Sequence, residues 1–152
     1  MRTLVSAIAL FLALSASPAL ALDYRIAAEN EKGLGLIDAD SITTVGGNRR
    51  VKLTAVLPPA PGDEAVVMVA WVVLDCSASR YRIEELDIFD PSLKKIGHEK
   101  GGEGWSSANR SSPFTPSADF ACRGIDLQRP ATQDLKTLVD AYLAGPSLGT
   151  PV

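Results

Sequence analysis

The sequence predicts an α+β fold: an antiparallel sheet of five to six strands, one C-terminal helix packed on one face, and one disulfide. Three observations carry that expectation. Arg49 to Leu57 alternates, with Val51, Leu53, Ala55 and Leu57 facing one way and Lys52 and Thr54 the other, the period of a half-buried strand. Ala65 to Leu74 is apolar at every position and rich in β-branched residues, as a central strand covered on both faces requires. Leu135, Leu138, Val139, Tyr142 and Leu143 recur at the spacing of one helical stripe.

The chain begins with a segment that does not belong to the fold. Met1-Arg2-Thr3 is followed by an apolar run from Leu4 to Leu14, interrupted only by Ser6. The run is well short of the ~20 residues that span a bilayer as a helix. Ser15-Ala16-Ser17-Pro18 breaks it, and Ala19-Leu20-Ala21 places small residues where a signal peptidase cuts. Residues 1–21 are therefore read as a signal peptide, and the mature chain starts at Leu22. Residues 22–146 form a single domain and residues 147–152 a flexible tail. The first cysteine is Cys76, so no lipid-anchor cysteine stands at the cleavage site. The expected location is the periplasm or beyond it, by secretion or association with the cell surface, with no membrane span after cleavage.

Removing residues 1–21 takes away Arg2 and no acid, so the net charge moves from −3 to −4. That balance argues against a nucleic-acid partner, which calls for a basic excess. An even pair of cysteines, Cys76 and Cys122, in an exported chain reads as a disulfide.

The elements follow in order. Asp23 to Ala27 alternates as a first strand, Glu29 to Gly33 is a turn, and Leu34 to Asp38 is a short second strand. Val45-Gly46-Gly47-Asn48 turns the chain into the Arg49–Leu57 strand. Pro58-Pro59-Ala60-Pro61-Gly62 is a stiff connection that no strand interior tolerates. After the apolar central strand and Cys76, Arg80 to Phe89 forms the next strand. Tyr81 and Ile83 are out of phase with Leu86 and Ile88, and a β-bulge near Glu84-Glu85 brings all four to one face. A short strand follows around Lys95 to His98. Residues 100–118 read as a long loop anchored by Trp105 and Phe114, with one helical turn over Ala118 to Cys122. The helix spans residues 131–144, with Thr132 as N-cap, Asp134 in the first turn, and Gly145-Pro146 as its end. A Cys76–Cys122 bond would staple the helix lead-in to the sheet.

Several segments in order resemble the bacterial surface-adhesin protein E family. Gly35-Leu36-Ile37-Asp38-Ala39-Asp40-Ser41-Ile42 is similar to the family's "(Y/F)-V-D-x-D-S-I" strand and turn. Gly47-Asn48-Arg49-Arg50-Val51 is similar to its "G-x-x-(R/V)-V", and Asp75-Cys76-Ser77-Ala78-Ser79-Arg80-Tyr81-Arg82 to its "D-C-x-x-x-R-Y-R". Trp105 and Cys122 match a later Trp and Cys, so the resemblance runs over about residues 23–125. It implies an antiparallel sheet with a helix and one disulfide at Cys76 and Cys122. It also implies binding to a host matrix or envelope protein, with dimer formation. The chain departs from the family's lipoproteins in lacking an anchor cysteine, and it carries the proline-rich segment Pro58 to Pro61.

Residues that could carry chemistry are few. Asp38 and Asp40 would share a strand face, and strand-end capping explains them. His98 is the only histidine, and His98-Glu99-Lys100 lacks the second histidine of a metalloprotease motif. Gly101-Gly102-Glu103-Gly104 lacks the Gly-Lys-Ser/Thr ending of a phosphate loop. Arg49, Arg50, Lys52, Arg80 and Arg82 would gather into a basic face if their strands are neighbours, with Glu84 and Glu85 close enough to neutralise it. A Trp71 facing away from the helix would leave an apolar face needing a cover, and a homodimer would supply one. The expectation is a non-enzymatic binding module with no cofactor, metal or catalytic residue and an unidentified protein partner. A periplasmic structural or assembly accessory with no adhesive role is the alternative. No ligand-binding residue is assigned.

Overall fold

The computed structural model describes residues 22–109 and 112–145; the signal peptide expected over residues 1–21 and the tail over 147–152 lie outside them. Six strands form an up-and-down antiparallel meander in which sequence order equals spatial order. They are β1 (Tyr24–Asn30), β2 (Gly33–Val45), β3 (Asn48–Leu57), β4 (Val66–Asp75), β5 (Arg80–Phe89) and β6 (Lys95–Lys100). The two-residue β7 (Ser106–Ser107) also pairs with β5, and two helices follow, α1 (Thr115–Arg123) and α2 (Leu135–Leu143). The antiparallel α+β class is as expected. The strand number is seven rather than five or six, and a second helix replaces the single turn expected at Ala118–Cys122.

The strand pattern explains the register. Gly46 and Gly47 both take positive φ (56° and 82°), which a two-residue hairpin turn demands at both positions. β2 is longer than the expected Leu34–Asp38 because it continues past an irregularity between Asp38 and Thr43. There the Ser41 hydroxyl donates to the Asp38 carbonyl at 2.6 Å and accepts from the Lys52 N–H at 2.8 Å, standing in for a missing ladder bond. In β5, Glu85 lies opposite Trp71 while Ile83 lies opposite Val72, so Glu84 is the extra residue of a bulge. Tyr81, Ile83, Leu86 and Ile88 thereby share a face, as the phase shift in the sequence requires.

Each face of the sheet carries one helix, and each helix covers about half of it. On the first face, α1 packs through Phe114, Ala118, Ala121 and Cys122 over Ile37, Val51, Val72, Leu74 and Tyr81. On the second face, α2 packs through Leu135, Leu138, Val139, Tyr142 and Leu143 over Tyr24, Ile26, Leu34, Val56 and Val67. The stripe read from the sequence is thus the buried face of α2. Its N-cap is Asp134, whose carboxylate accepts from the Thr137 N–H at 2.8 Å, and not Thr132, whose hydroxyl instead accepts from the Asp134 N–H. The helix accordingly starts four residues later than the expected residue 131. Tyr142 Oη donates to the Asn30 carbonyl at 2.8 Å and holds the far end of α2 to the β1–β2 hairpin.

Between the helices the chain rounds the outer edge of β1. The Ile26 N–H donates to the Gln128 carbonyl at 2.8 Å, and the Tyr24 N–H donates to Gln133 Oε1 at 2.6 Å. Arg25 holds the same crossing through Asp126 and the Leu127 carbonyl. An open strand edge that would template aggregation is satisfied in this way.

The disulfide joins Cys76, in the β4–β5 turn, to Cys122 within α1, with Cα atoms 5.6 Å apart. It staples α1 itself to the sheet, rather than the lead-in to the C-terminal helix. At the other side of β5, Gly101 donates its N–H to the Glu84 carbonyl at 2.8 Å. A Cβ at Gly101 would stand 1.7 Å from the Ile83 carbonyl oxygen, so no other residue fits the crossing.

Two stability predictions follow from this architecture. Replacing Cys76 and Cys122 by Ala should lower the urea-unfolding free energy by about 2–4 kcal/mol, the range for a disulfide closing a loop of this size. Gly101→Ala should cost about 2 kcal/mol or more in the same assay, the scale of a forced backbone displacement. An unchanged midpoint would show that the outer edge of β5 yields without cost.

Candidate interaction surface

The half of the second face that α2 leaves open is built from β3, β4 and β5. Cross-strand neighbours there are Lys52 and Trp71, and then Arg50, Val73 and Arg82 in the next row. Arg50 stacks on the Trp71 ring with its guanidinium carbon 3.8 Å from the centroid, and Lys52 Nζ lies 5.0 Å from it. Arg50 Nε also pairs with Glu84 Oε2 at 2.7 Å, and Arg82 reaches Glu84 Oε1 at 3.4 Å. The series continues outward: the guanidinium carbons of Arg82 and Arg80 lie 5.3 and 4.7 Å from the Trp105 centroid. Cations, rings and carboxylates therefore alternate along one ladder, each ring flanked by two positive groups as its quadrupole favours.

The β4–β5 turn anchors the outer end. Asp75 Oδ1 accepts from the Ser77 N–H, the Ser77 hydroxyl and the Ala78 N–H, while Oδ2 accepts from Arg80 Nε at 2.9 Å. The Ser77 bond and the Ala78 N–H, and after them Arg80, hold the Asp75 carboxyl down to about 2 against the opposing effect of burial. The Asp-Cys-Ser-Ala-Ser-Arg segment thus fixes the disulfide turn and the first cation of the ladder together. At the inner end Asp38 is buried, with Oδ2 4.0 Å from Lys52 Nζ and Oδ1 without a hydrogen bond among the described residues. Burial raises its carboxyl pKa, and Lys52 opposes that rise.

The structure brings together four of the five basic residues considered. Arg49 lies opposite Leu74, on the other face by strand alternation, and its guanidinium donates to Thr44 Oγ1. The four gathered cations, Arg50, Lys52, Arg80 and Arg82, share their face with Asp38, Asp75, Glu84 and Glu85. This is a charge-balanced surface and not a basic patch, so it has no electrostatic preference for a polyanion. Trp71 lies on the face that carries α2, not away from that helix, and the Arg50 guanidinium and Lys52 amine stand over its ring.

The other candidates separate from this surface. Asp40 is exposed and accepts from the Asp23 N–H at 3.1 Å, a capping role. His98 sits on β6 with Nδ1 2.6 Å from Asp87 Oδ1, an oxygen that Lys95 Nζ also reaches at 2.6 Å. No group of three His, Cys, Asp or Glu among the described residues is arranged to hold a metal ion. No helix among them is long and apolar enough to cross a membrane. Sequence reasoning missed the pairing of Trp105 with Arg80 and Arg82. Its signal was the two-residue spacing of those arginines on one strand face, but only the β7 pairing to Arg80 and Tyr81 says which ring meets them.

Compared with protein-family models, curated proteins and solved structures, the chain matches none of them. The resemblance to surface-adhesin E proteins rests on the ordered motifs alone.

The Asp75 geometry makes a pH prediction. An acid whose pKa falls on folding stabilises the fold above its unfolded value, here 3.8, and that contribution is lost as pH falls towards about 2. Carboxyl NMR should place the Asp75 midpoint near 2 and show it rising towards 3.8 in Arg80→Gln and Ser77→Ala together. A midpoint already at 3.8 in the unaltered protein would mean that this turn does not form in solution.

Proposed function

We propose that this chain is an exported, non-enzymatic binding module, similar to surface-adhesin E proteins, that recognises a protein partner at the cell envelope or surface. The observation that carries the reading is the Arg–Trp ladder. Trp and Arg dominate the energetic centres of protein interfaces. Here they are partly exposed and held in place by one another, so little side-chain freedom is lost on contact. Balanced charge suits a mixed protein surface better than nucleic acid. The disulfide supports an oxidising compartment. Self-association through the same face would use the same rings.

The test has two parts. Protease shaving of intact cells, with a periplasmic marker as control, should cut the protein while sparing the marker. Survival of both until the outer membrane is broken would turn the reading towards a periplasmic accessory. Binding of the purified protein to immobilised host matrix proteins and envelope fractions should then saturate. Trp105→Ala and Trp71→Ala should each weaken it tenfold or more, whereas His98→Ala leaves it unchanged. Saturable binding indifferent to both tryptophans would remove the ladder as the site.

A further inference from the structure

The first sheet face has its own open half, beyond α1. There the strands present small and apolar residues in successive rows: Ala28 on β1, Gly35 on β2, Ala55 on β3, and Met68 and Ala70 on β4. They floor a groove of about 480 Å³, with Leu57 and Leu86 also in its lining and Phe114 and Ser117 of the α1 region as one wall. That volume lies within the range of small-molecule sites, which are mostly apolar with a few placed polar groups.

Three observations say what the groove accepts. First, Lys32 is the sole charged residue in its lining, and its amine makes no ion pair among the described residues. The neighbouring carboxylates of the same hairpin, Glu29 and Glu31, line a separate cavity beside Tyr142 and Leu143 of α2. Second, Ser117 of α1, 3% exposed, is a hydroxyl-bearing residue in a lining that is otherwise mostly apolar. Third, Gly35 has an ordinary backbone conformation, and a Cβ there would meet Ala28 at an unstrained 3.6 Å. Nothing in the packing requires glycine. Gly35 pairs with Ala28 at the register shift of β1, and its missing side chain keeps the floor of the groove low.

We infer that this groove binds a single-chain anionic amphiphile, a long-chain carboxylate, with its head at Lys32 and its apolar chain along the floor of Ala28, Gly35 and Ala55. A second copy of the protein fits less well. A symmetric dimer would set two concave faces against each other, with the α1 walls holding the floors apart. The inference is independent of the protein-partner surface, which lies on the opposite face.

Calorimetric titration of the purified protein with octanoate, decanoate and dodecanoate, each below its micellar concentration, tests it. One molecule should bind per chain, with affinity rising up to fourfold per added methylene, the factor expected for moving one methylene out of water. Lys32→Gln should weaken dodecanoate severalfold and leave dodecanol unchanged. Ala55→Leu and Gly35→Leu, each filling the floor, should abolish both while far-UV circular dichroism stays that of the parent. Three results would overturn the inference: no saturable heat at any chain length, dodecanoate binding indifferent to both filling variants, or sedimentation showing the groove closed by a second copy.

Discussion

The apolar character of β4 on both of its sides is the constraint on which the rest of the structure depends. Val67 and Val73 face one way and Val72 and Leu74 the other, all buried, so the sheet cannot fold as a layer with one wet side. Something must cover each face, and among the described residues the chain after β7 does it. It places α1 on one face, rounds the edge of β1 through Asp126 to Gln133, and places α2 on the other. The crossing that lets one chain serve both faces also satisfies the exposed edge of β1. The disulfide strengthens the smaller of the two covers, since α1 buries mostly alanine and serine along its helical turns.

Much of this was legible in the sequence. The strands themselves followed from alternation and from turn chemistry at Gly46-Gly47 and Pro58–Gly62, and the β5 bulge followed from the phase slip between Ile83 and Leu86. The α2 stripe was readable because Leu138, Val139 and their neighbours are large and regularly spaced. α1 was not, because the residues it buries most deeply are Ser117 and Ala121, too small to give a periodic hydrophobic signal. Its brackets were present all the same: Pro116 in the first turn and Gly124, with φ of 66°, just past the end. The N-cap of α2 was misplaced because Thr132 and Asp134 both suit the position. The observed choice puts the carboxylate within reach of both the N–H and the hydroxyl of Thr137.

The interaction surface was half legible. The expected basic face grouped all five cations, although strand parity separates Arg49 from Arg50 and Lys52. That β3 and β5 flank β4, and so bring Arg50 and Arg82 to either side of Val73, depended on the meander. The stacking of Trp105 depended further on β7, a pairing of two serines with no sequence signature of its own.

The place of each helix along the strands decides what remains open. The α1 cluster runs from Ile37 on β2 to Tyr81 on β5, and the α2 cluster from Tyr24 on β1 to Phe89 on β5. Each helix thus covers one end of its face, and the open halves fall on opposite faces and opposite ends. Their chemistry then differs for a physical reason. Beside α1, the floor is Gly and Ala, which keeps a depression open under an apolar wall. Beside α2, Trp71 is covered by the Arg50 guanidinium and the Lys52 amine, which stack over its ring while Glu84 and Asp38 answer their charge. Four cations so close together would repel one another. Glu84 stands between Arg50 and Arg82, and it can pair with both because the bulge in β5 adds one residue at that point. The phase slip that aligns the core on one face is the same feature that locks the Arg–Trp ladder on the other.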